Sequence, residues 1–278
     1  MCGITGIITP NARQYRAELQ KMTDAIAHRG PDAEHHEFLE NAALGHRRLS
    51  IVDLSETGKQ PMFSQTKNEC IVLNGEIYGY LDLKKKYSNY HYRGTSDTEV
   101  ILAMYEQKGN ALLDELPGMF AFAIWNEEKQ ELFCARDRFG EKPFYYAHGK
   151  NGEFIFASEM KAILASGLIK PIVNQEAISH FLQYGYVSAQ QSIYSNIFTL
   201  PPAHFLVFSK GNIQVERYYS LPKSDLKINL YDAKEEFSHL LKNAVQKQLI
   251  ADVEVGSFLS GGLDSSTIVA MVNEFKEK

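Results

Sequence analysis

The chain has 278 residues, 44% apolar and 12% aromatic, which is enough for a packed core, argues against disorder and makes two domains the prior. A formal net charge of −5, with 29 basic against 34 acidic side chains, leaves no basic footprint for nucleic acid. Three cysteines form no disulfide framework, no stretch reaches the ~20 apolar residues of a membrane span, and the N-terminus has no signal-like pattern. A cytoplasmic protein without nucleic-acid or membrane partners is expected.

The chain opens Met1-Cys2-Gly3-Ile4-Thr5-Gly6. Removal of Met1 would put a thiol and a free α-amine on one residue. Such an amine has a pKa of roughly 7.7–8.0 and can take the thiol proton itself. On Cys2 alone, a small buried residue that happens to come second is the favoured reading, and the motifs further along the chain reverse it.

Residues 4–9 read as a strand ended by Pro10. Tyr15, Leu19, Met22 and Ile26 recur at helical spacing over 11–28, and that helix stops at Arg29-Gly30-Pro31. Strands follow at 35–39 and 42–46, with His35-His36 as a surface pair. The alternation over 48–53 suits a further strand, and a buried strand over 70–73 runs into a turn-like Asn74-Gly75-Glu76. Cys70 and Cys134 sit in apolar runs as structural cysteines, and Lys84-Lys85-Lys86 marks the solvated face of a helix.

Ser96-Asp97-Thr98-Glu99 is a capping-box pattern opening a helix with Val100, Ile101, Met104 and Tyr105 on its apolar face. Short aromatic strands are expected at 119–125, 131–135, 143–147 and 153–157, helices at 159–165 and 175–184, and a hairpin over 205–208 and 213–219. The polar stretch 219–230 reads as a linker between domains at 2–218 and 231–278. In the second, Asp232 can cap a helix with Phe237, Leu240, Leu241, Ala244 and Val245 on one face, followed by a strand over 253–259.

Leu259-Ser260-Gly261-Gly262-Leu263-Asp264-Ser265-Ser266 then joins strand to helix. Adjacent glycines let backbone approach a ligand, helix-start N–H groups attract anions, and Asp264 could hold a phosphate-bound Mg²⁺. The Gly-Lys-Ser/Thr of a Walker loop is missing, so this is a different phosphate loop. An ordinary glycine-rich turn is the alternative.

Together these motifs resemble a family. Met1-Cys2-Gly3-Ile4-Thr5-Gly6, His28-Arg29-Gly30-Pro31-Asp32, Arg48-Leu49-Ser50-Ile51-Val52-Asp53, Asn74-Gly75-Glu76-Ile77-Tyr78 and Ser96-Asp97-Thr98-Glu99 look like the class II glutamine amidotransferase pattern. Gly118-Met119-Phe120-Ala121-Phe122-Ala123 and Ala135-Arg136-Asp137-Arg138-Phe139-Gly140 continue it, and residues 260–266 match the pyrophosphate loop of glutamine-hydrolysing asparagine synthetases.

The resemblance implies an α+β fold, a four-layer αββα Ntn-hydrolase sandwich, followed by an incomplete Rossmann-like α/β nucleotide domain. It makes Cys2 the nucleophile on the glutamine amide, with Asn74 and Gly75 at the oxyanion. Arg48 would clamp the glutamine α-carboxylate, Asp97 and Glu76 would meet the α-ammonium, and Leu49, Ile51 and Val52 would line the pocket. Leu259, Ser260, Gly261, Gly262, Asp264, Ser265 and Ser266 would bind ATP with Mg²⁺. Aspartate is the implied acceptor, activated as β-aspartyl-AMP, and a homodimer is compatible with the family. The His28 motif reads as a structural turn near the site. Since 231–278 supplies one helix, one strand and one loop of a fold that needs several, the chain is expected to be a fragment competent at most for glutamine hydrolysis. A relative that amidates another carboxylate, such as a sugar acid, and a non-catalytic remnant are the competing readings.

Overall fold

The computed structural model describes residues 1–188, 191–223 and 227–276. Two six-stranded antiparallel sheets face each other. The first contains β1 (Gly3–Ile8), β2 (Ala33–Phe38), β3 (Ala42–Arg48), β8 (Tyr145–His148), β9 (Phe154–Ala157) and β10 (Ile197–Thr199), in the order β10-β8-β9-β1-β3-β2. The second contains β4 (Met62–Phe63), β5 (Glu69–Ile77), β6 (Gly118–Asn126), β7 (Glu131–Arg136), β11 (His204–Ser209) and β12 (Asn212–Arg217), in the order β12-β11-β7-β6-β5-β4.

The period-2 alternation of each strand sorts its residues between layers. Ile4, Leu44, Val72, Ala121, Ala123 and Phe156 meet between the sheets. Ile7, Ala43 and Ile155 face the other way, onto α1 (Arg16–Ala25) and α4 (Met160–Ala165), where Leu19, Met22 and Ile163 are fully buried. Ile71, Leu73, Phe120 and Phe122 pack outward onto α2 (Tyr80–Lys86) and α3 (Thr98–Lys108). The result is a helix–sheet–sheet–helix sandwich, the α+β class expected from the sequence.

Several local readings change. Helix 11–28 is broken into a 3₁₀ turn at Ala12–Tyr15, α1, and a second turn at Ala27–Arg29. Asn74-Gly75-Glu76 is no turn: β5 runs through it, paired in register as Asn74 with Ala121, Gly75 with Phe120 and Glu76 with Met119. The glycine is required by close approach rather than by turning, since a Cβ on Gly75 would lie 2.1 Å from the Met119 carbonyl oxygen. Residues 49–53 are not a strand, because the side chains of Cys2, Asp32, Arg48 and Asp252 and the Asp252 N–H, rather than a neighbouring strand, satisfy their backbone. The capping box is not reciprocal either. Ser96 Oγ accepts from Thr98 N–H, but the Glu99 carboxylate turns to the N–H groups of Arg93 and Gly94.

Helix α5 (Gln175–Tyr184) lies where expected. Residues 224–226 of the expected linker lie outside the described residues. Beyond them α6 (Leu230–Gln248) is capped by Asn229, whose side chain accepts from Asp232 N–H, so Asp232 sits in the first turn instead of at the cap. Residues 253–259 form no strand and Phe258 is exposed. A lone β segment has no ladder to join, and its apolar alternation cannot hold it extended by itself. Helix α7 (Leu263–Lys276) follows and packs on α6, with Lys242 and Glu274 paired at 2.8 Å.

Candidate active site

The alternation that builds the inter-sheet core also builds the site. β1 and β3 pair with Gly3 opposite Arg47 and Ile4 opposite His46. Cys2, His46 and Arg48 therefore continue the inward phase of Ile4 and Leu44. On β5, Asn74 and Glu76 continue the inward phase of Cys70 and Val72. Cys2, Arg48 and Glu76 meet at one end of the sandwich on a small cleft open to solvent, lined also by Leu49, Ile51, Val52, Gly75 and Asp97, whereas His46 and Asn74 are fully buried and do not line it. Met1, Gly58, Gln60, Ser96 and Thr98 complete the wall.

Cys2 Sγ accepts from Leu49 N–H at 3.4 Å and lies 3.6 Å from Leu49 O. Burial pushes the thiol above its ordinary pKa, with the Leu49 N–H opposing. Near neutral pH it is therefore a thiol that needs a base. The α-amine beside it belongs to Met1 in this chain and is pulled below its ordinary value chiefly by burial. Removing Met1 would hand such an amine to Cys2. The Cys2 carbonyl accepts from Arg29 Nε at 2.9 Å, and Arg29 Nη1 pairs with Glu159 at 3.0 Å. The His28 motif thus fixes the strand that carries the thiol.

Asn74 is fully buried, and neither its side-chain oxygen nor its nitrogen has a partner among the described residues. An uncommitted buried amide is costly, and this one stands on the cleft strand beside Gly75. Asp97 is 7% exposed. Its carboxylate accepts from Ile77 N–H at 2.9 Å, and burial pushes its pKa up to about 6, with the nearby Glu76 adding to the rise. Glu76 is itself pushed up by burial. Lys142 and the N-terminal amine oppose that rise at Glu76, whereas the charge on Asp97 is disfavoured by both burial and Glu76, which suits a cationic ligand there.

Arg48 departs from the simple clamp. Nη1 donates to Ser55 O at 3.1 Å, and Nη2 donates to Val52 O at 3.4 Å and to Asp53 O. Both two-nitrogen faces of a guanidinium include Nη2, so a bidentate grip on a ligand carboxylate competes with loop 52–55 for the same N–H groups. Asp53, with a left-handed φ of 54°, pins that loop from the other side. Its carboxylate accepts from Ser55 Oγ, Thr57 Oγ1, Thr95 N–H and Ser96 N–H. Burial would raise its pKa, but these hydrogen bonds hold it below the ordinary value. Asp252, four residues past α6, reaches the same loop: its Oδ2 accepts from Asp53 N–H at 2.7 Å and its N–H donates to Ile51 O at 2.9 Å.

Sequence reasoning passed over Arg29, His46, Asp53, Gln60, Glu159 and Asp252 as site-building residues. Arg29, Asp53 and Glu99 stood in quoted motifs without a role. Gln60 and Asp252 carried no local signal.

The glycine-rich loop lies apart, since none of its residues lines the cleft. Leu259, Ser260, Gly261 and Gly262 precede α7, and Asp264, Ser265 and Ser266 form its first turn. Gly261 has a left-handed φ of 80° that suits its residue type. Ser260 Oγ and Ser265 Oγ are 3.0 Å apart, and Ser265 Oγ donates to Gly262 O at 3.1 Å. Exposed hydroxyls at the start of a long helix fit phosphate. Among the described residues no group of three or more His, Cys, Asp or Glu side chains could hold a metal. Asp264 therefore offers a single carboxylate, and Mg²⁺ there would depend on phosphate oxygens. No helix of the described residues is long and apolar enough to cross a membrane.

The chain is similar to known proteins along its whole length. A putative glutamine-hydrolysing asparagine synthetase 2 from Methanocaldococcus jannaschii is 42% identical over 301 residues, covering 100% of this chain and 58% of that protein. Glutamine-hydrolysing asparagine synthetase 3 from Bacillus subtilis is 39% identical, covering 100% of this chain and 46% of its own length. The chain thus spans about half the length of the curated relatives it matches. The solved structure of a glutamine phosphoribosylpyrophosphate amidotransferase from B. subtilis superposes with a TM-score of 0.58 at 17% identity, over 98% of this chain and 64% of that one, a likeness of fold. The family model for asparagine synthase matches residues 236–278, and that for the glutamine amidotransferase domain matches residues 1–219. With most of its length so matched, the chain belongs to the glutamine amidotransferase family and carries an asparagine synthase segment behind that domain.

Proposed function

We propose that residues 2–218 hydrolyse glutamine as the amidotransferase half of a glutamine-dependent asparagine synthetase, joined by 219–230 to a synthetase segment at 231–278. The observation that carries the reading is the convergence of Cys2, Gly75, Glu76 and Asp97 on one cleft, with the uncommitted Asn74 amide buried next to Gly75 in the chain. After removal of Met1, the Cys2 amine takes the thiol proton and the sulfur attacks the glutamine amide carbon. Asn74 Nδ2 and the Gly75 N–H donate to the oxygen that becomes negative. The amine returns the proton to the leaving nitrogen, ammonia departs, and water cleaves the thioester to give glutamate. Asp97 and Glu76 balance the α-ammonium. Arg48 meets the α-carboxylate as loop 52–55 yields its Nη2 donors, and Leu49, Ile51 and Val52 enclose the side chain.

In the synthetase half, Ser260, Gly261, Gly262, Ser265 and Ser266 are assigned to the phosphates of ATP, Leu259 to the adjoining wall, and Asp264 to a phosphate-bound Mg²⁺. ATP with Mg²⁺ supplies the activation of a carboxylate acceptor there, for which aspartate is the assignment that follows from the relatives' names.

The test is ammonia release from glutamine by the purified chain, read with its intact mass and a Cys2→Ala variant. Release by a chain lacking Met1, lost on substitution, is the expected outcome. Release that survives Cys2→Ala would refute the mechanism.

A further inference from the structure

Leu73 stands where the second sheet runs out of partner. β4 ends at Met62, opposite Ile71. Continuing that register would set Gln60 opposite Leu73, with Pro61, which has no N–H, between them. Side chains complete the ladder instead. Leu73 N–H donates to Gln60 Oε1 at 2.6 Å, and Leu73 O accepts from His46 Nε2 at 3.1 Å. Both side chains are buried, and Gln60 Nε2 donates onward to Thr98 Oγ1 at 3.0 Å, in the first turn of α3.

His46 belongs to the opposite sheet, paired with Ile4 two residues beyond Cys2. One imidazole therefore spans from the sheet carrying the thiol to the strand carrying Asn74 and Gly75. Because a carbonyl only accepts, the ring proton must sit on Nε2. Burial lowers the His46 pKa to about 3, so the ring stays neutral, and its buried Nδ1 has no partner among the described residues. The geometry requires a neutral donor of fixed tautomer, which is a narrower demand than filling space.

We propose that His46 and Gln60 are positioning residues for glutamine hydrolysis. They grip Leu73 so that the next two residues, Asn74 and Gly75, present their N–H groups to the oxyanion at a fixed distance from Cys2. The proposal rests on the glutaminase reading above. His46 does not line the cleft, and Gln60, although part of its wall, acts in this role through its hydrogen bond to Leu73 N–H. Oxyanion donors act over a range of a few tenths of an ångström, so a strand left unpaired at this point loses transition-state stabilisation before it loses ground-state binding.

The experiment uses the chain with Met1 removed and the variants His46→Leu, His46→Gln and Gln60→Met. It measures kcat and KM for ammonia release, together with inhibition by glutamate and by the aldehyde analogue of glutamine. The aldehyde adds Cys2 sulfur to give a tetrahedral oxyanion, whereas glutamate reports ground-state binding. His46→Leu and Gln60→Met are expected to lower kcat about ten- to a hundredfold with KM within about threefold. Aldehyde inhibition should weaken in step with kcat while glutamate inhibition holds. His46→Gln, which can place an N–H near the Nε2 position, should recover most of the loss. Should His46→Leu fail to fold, Gln60→Met against His46→Gln carries the same comparison. Unchanged kcat in folded variants, equal losses in the two His46 variants, or glutamate inhibition falling with kcat would overturn the proposal alone. A wild-type chain without Cys2-dependent ammonia release would overturn the glutaminase reading and this proposal with it.

Discussion

Asp97 is charged where the fold disfavours charge, which makes Asp97→Asn the most informative substitution. Its pKa is pushed from 3.8 to about 6, chiefly by burial, with the Ile77 N–H opposing and Glu76 reinforcing. At about 1.36 kcal/mol per decade, that gap is worth at most ~3 kcal/mol. The folded chain keeps this proton to higher pH than the unfolded one. Stability is therefore lost as pH rises from 3.8 through about 6, and the full penalty applies above it. Asparagine keeps an oxygen to accept from Ile77 N–H, now at 2.9 Å, and removes the charge. Asp97→Asn should be more stable than wild type by about 1–3 kcal/mol at pH 7.5, or about 2–12 °C in Tm, with the difference vanishing near pH 4. The same change should raise KM for glutamine about ten- to a hundredfold and leave kcat less affected, because an ammonium loses its counter-charge. Thermal unfolding across pH 4–8 and steady-state ammonia release measure the two arms. A variant that is less stable at pH 7.5 with KM unchanged would refute the reasoning and make Asp97 a structural anchor of α3.

Three further outcomes follow from the same geometry. Asn74→Leu removes two buried atoms that have no partner, so kcat should fall about a hundred- to a thousandfold while urea unfolding shows stability held or raised. Gly75→Ala would set a Cβ 2.1 Å from Met119 O and 2.7 Å from Phe120 Cα, so β5 and β6 must separate, and urea unfolding should show a loss of about 2 kcal/mol or more. Asp252→Ala removes the acceptor 2.7 Å from Asp53 N–H and loosens the loop that occupies Arg48, so it should lower KM for glutamine about three- to tenfold with kcat nearly kept, as steady-state kinetics would read.

The legible part of this protein is the part written in short-range pattern. Strand alternation placed most of the elements, and the motifs around Cys2, Arg48, Asn74 and Asp97 were visible as residue types in order. What the pattern could not carry is backbone satisfied by distant side chains. Residues 48–53 alternate like a strand, yet Arg48 and Asp53 hold that loop through carbonyls and N–H groups scattered over 52–96. Asn74-Gly75-Glu76 has turn composition, but β6 pairs with it throughout, and the glycine answers to a neighbouring carbonyl. The strand expected over 253–259 had the right residues and no ladder to join. In each case a partner distant in sequence decided the local structure, and no local window contains that partner.

The wall of the cleft illustrates what such partners achieve together. Loop 49–55 touches the thiol through Leu49, the guanidinium of Arg48 through three carbonyls, and the residues beside Asp97 through the Asp53 carboxylate. Asp252 grips the same loop from behind at Ile51 and Asp53. None of these is a ladder hydrogen bond, most involve a charged group, and all share one short stretch of backbone. Groups so connected do not contribute independently. A glutamine carboxylate drawn to Arg48 must displace loop carbonyls from Nη2. The conformation of 52–55 and the occupancy of the cleft are therefore linked, whichever moves first. Asp252 stabilises the loop arrangement in which Arg48 is engaged, and so a residue beyond α6 bears on ligand binding in the amidotransferase domain without entering its cleft.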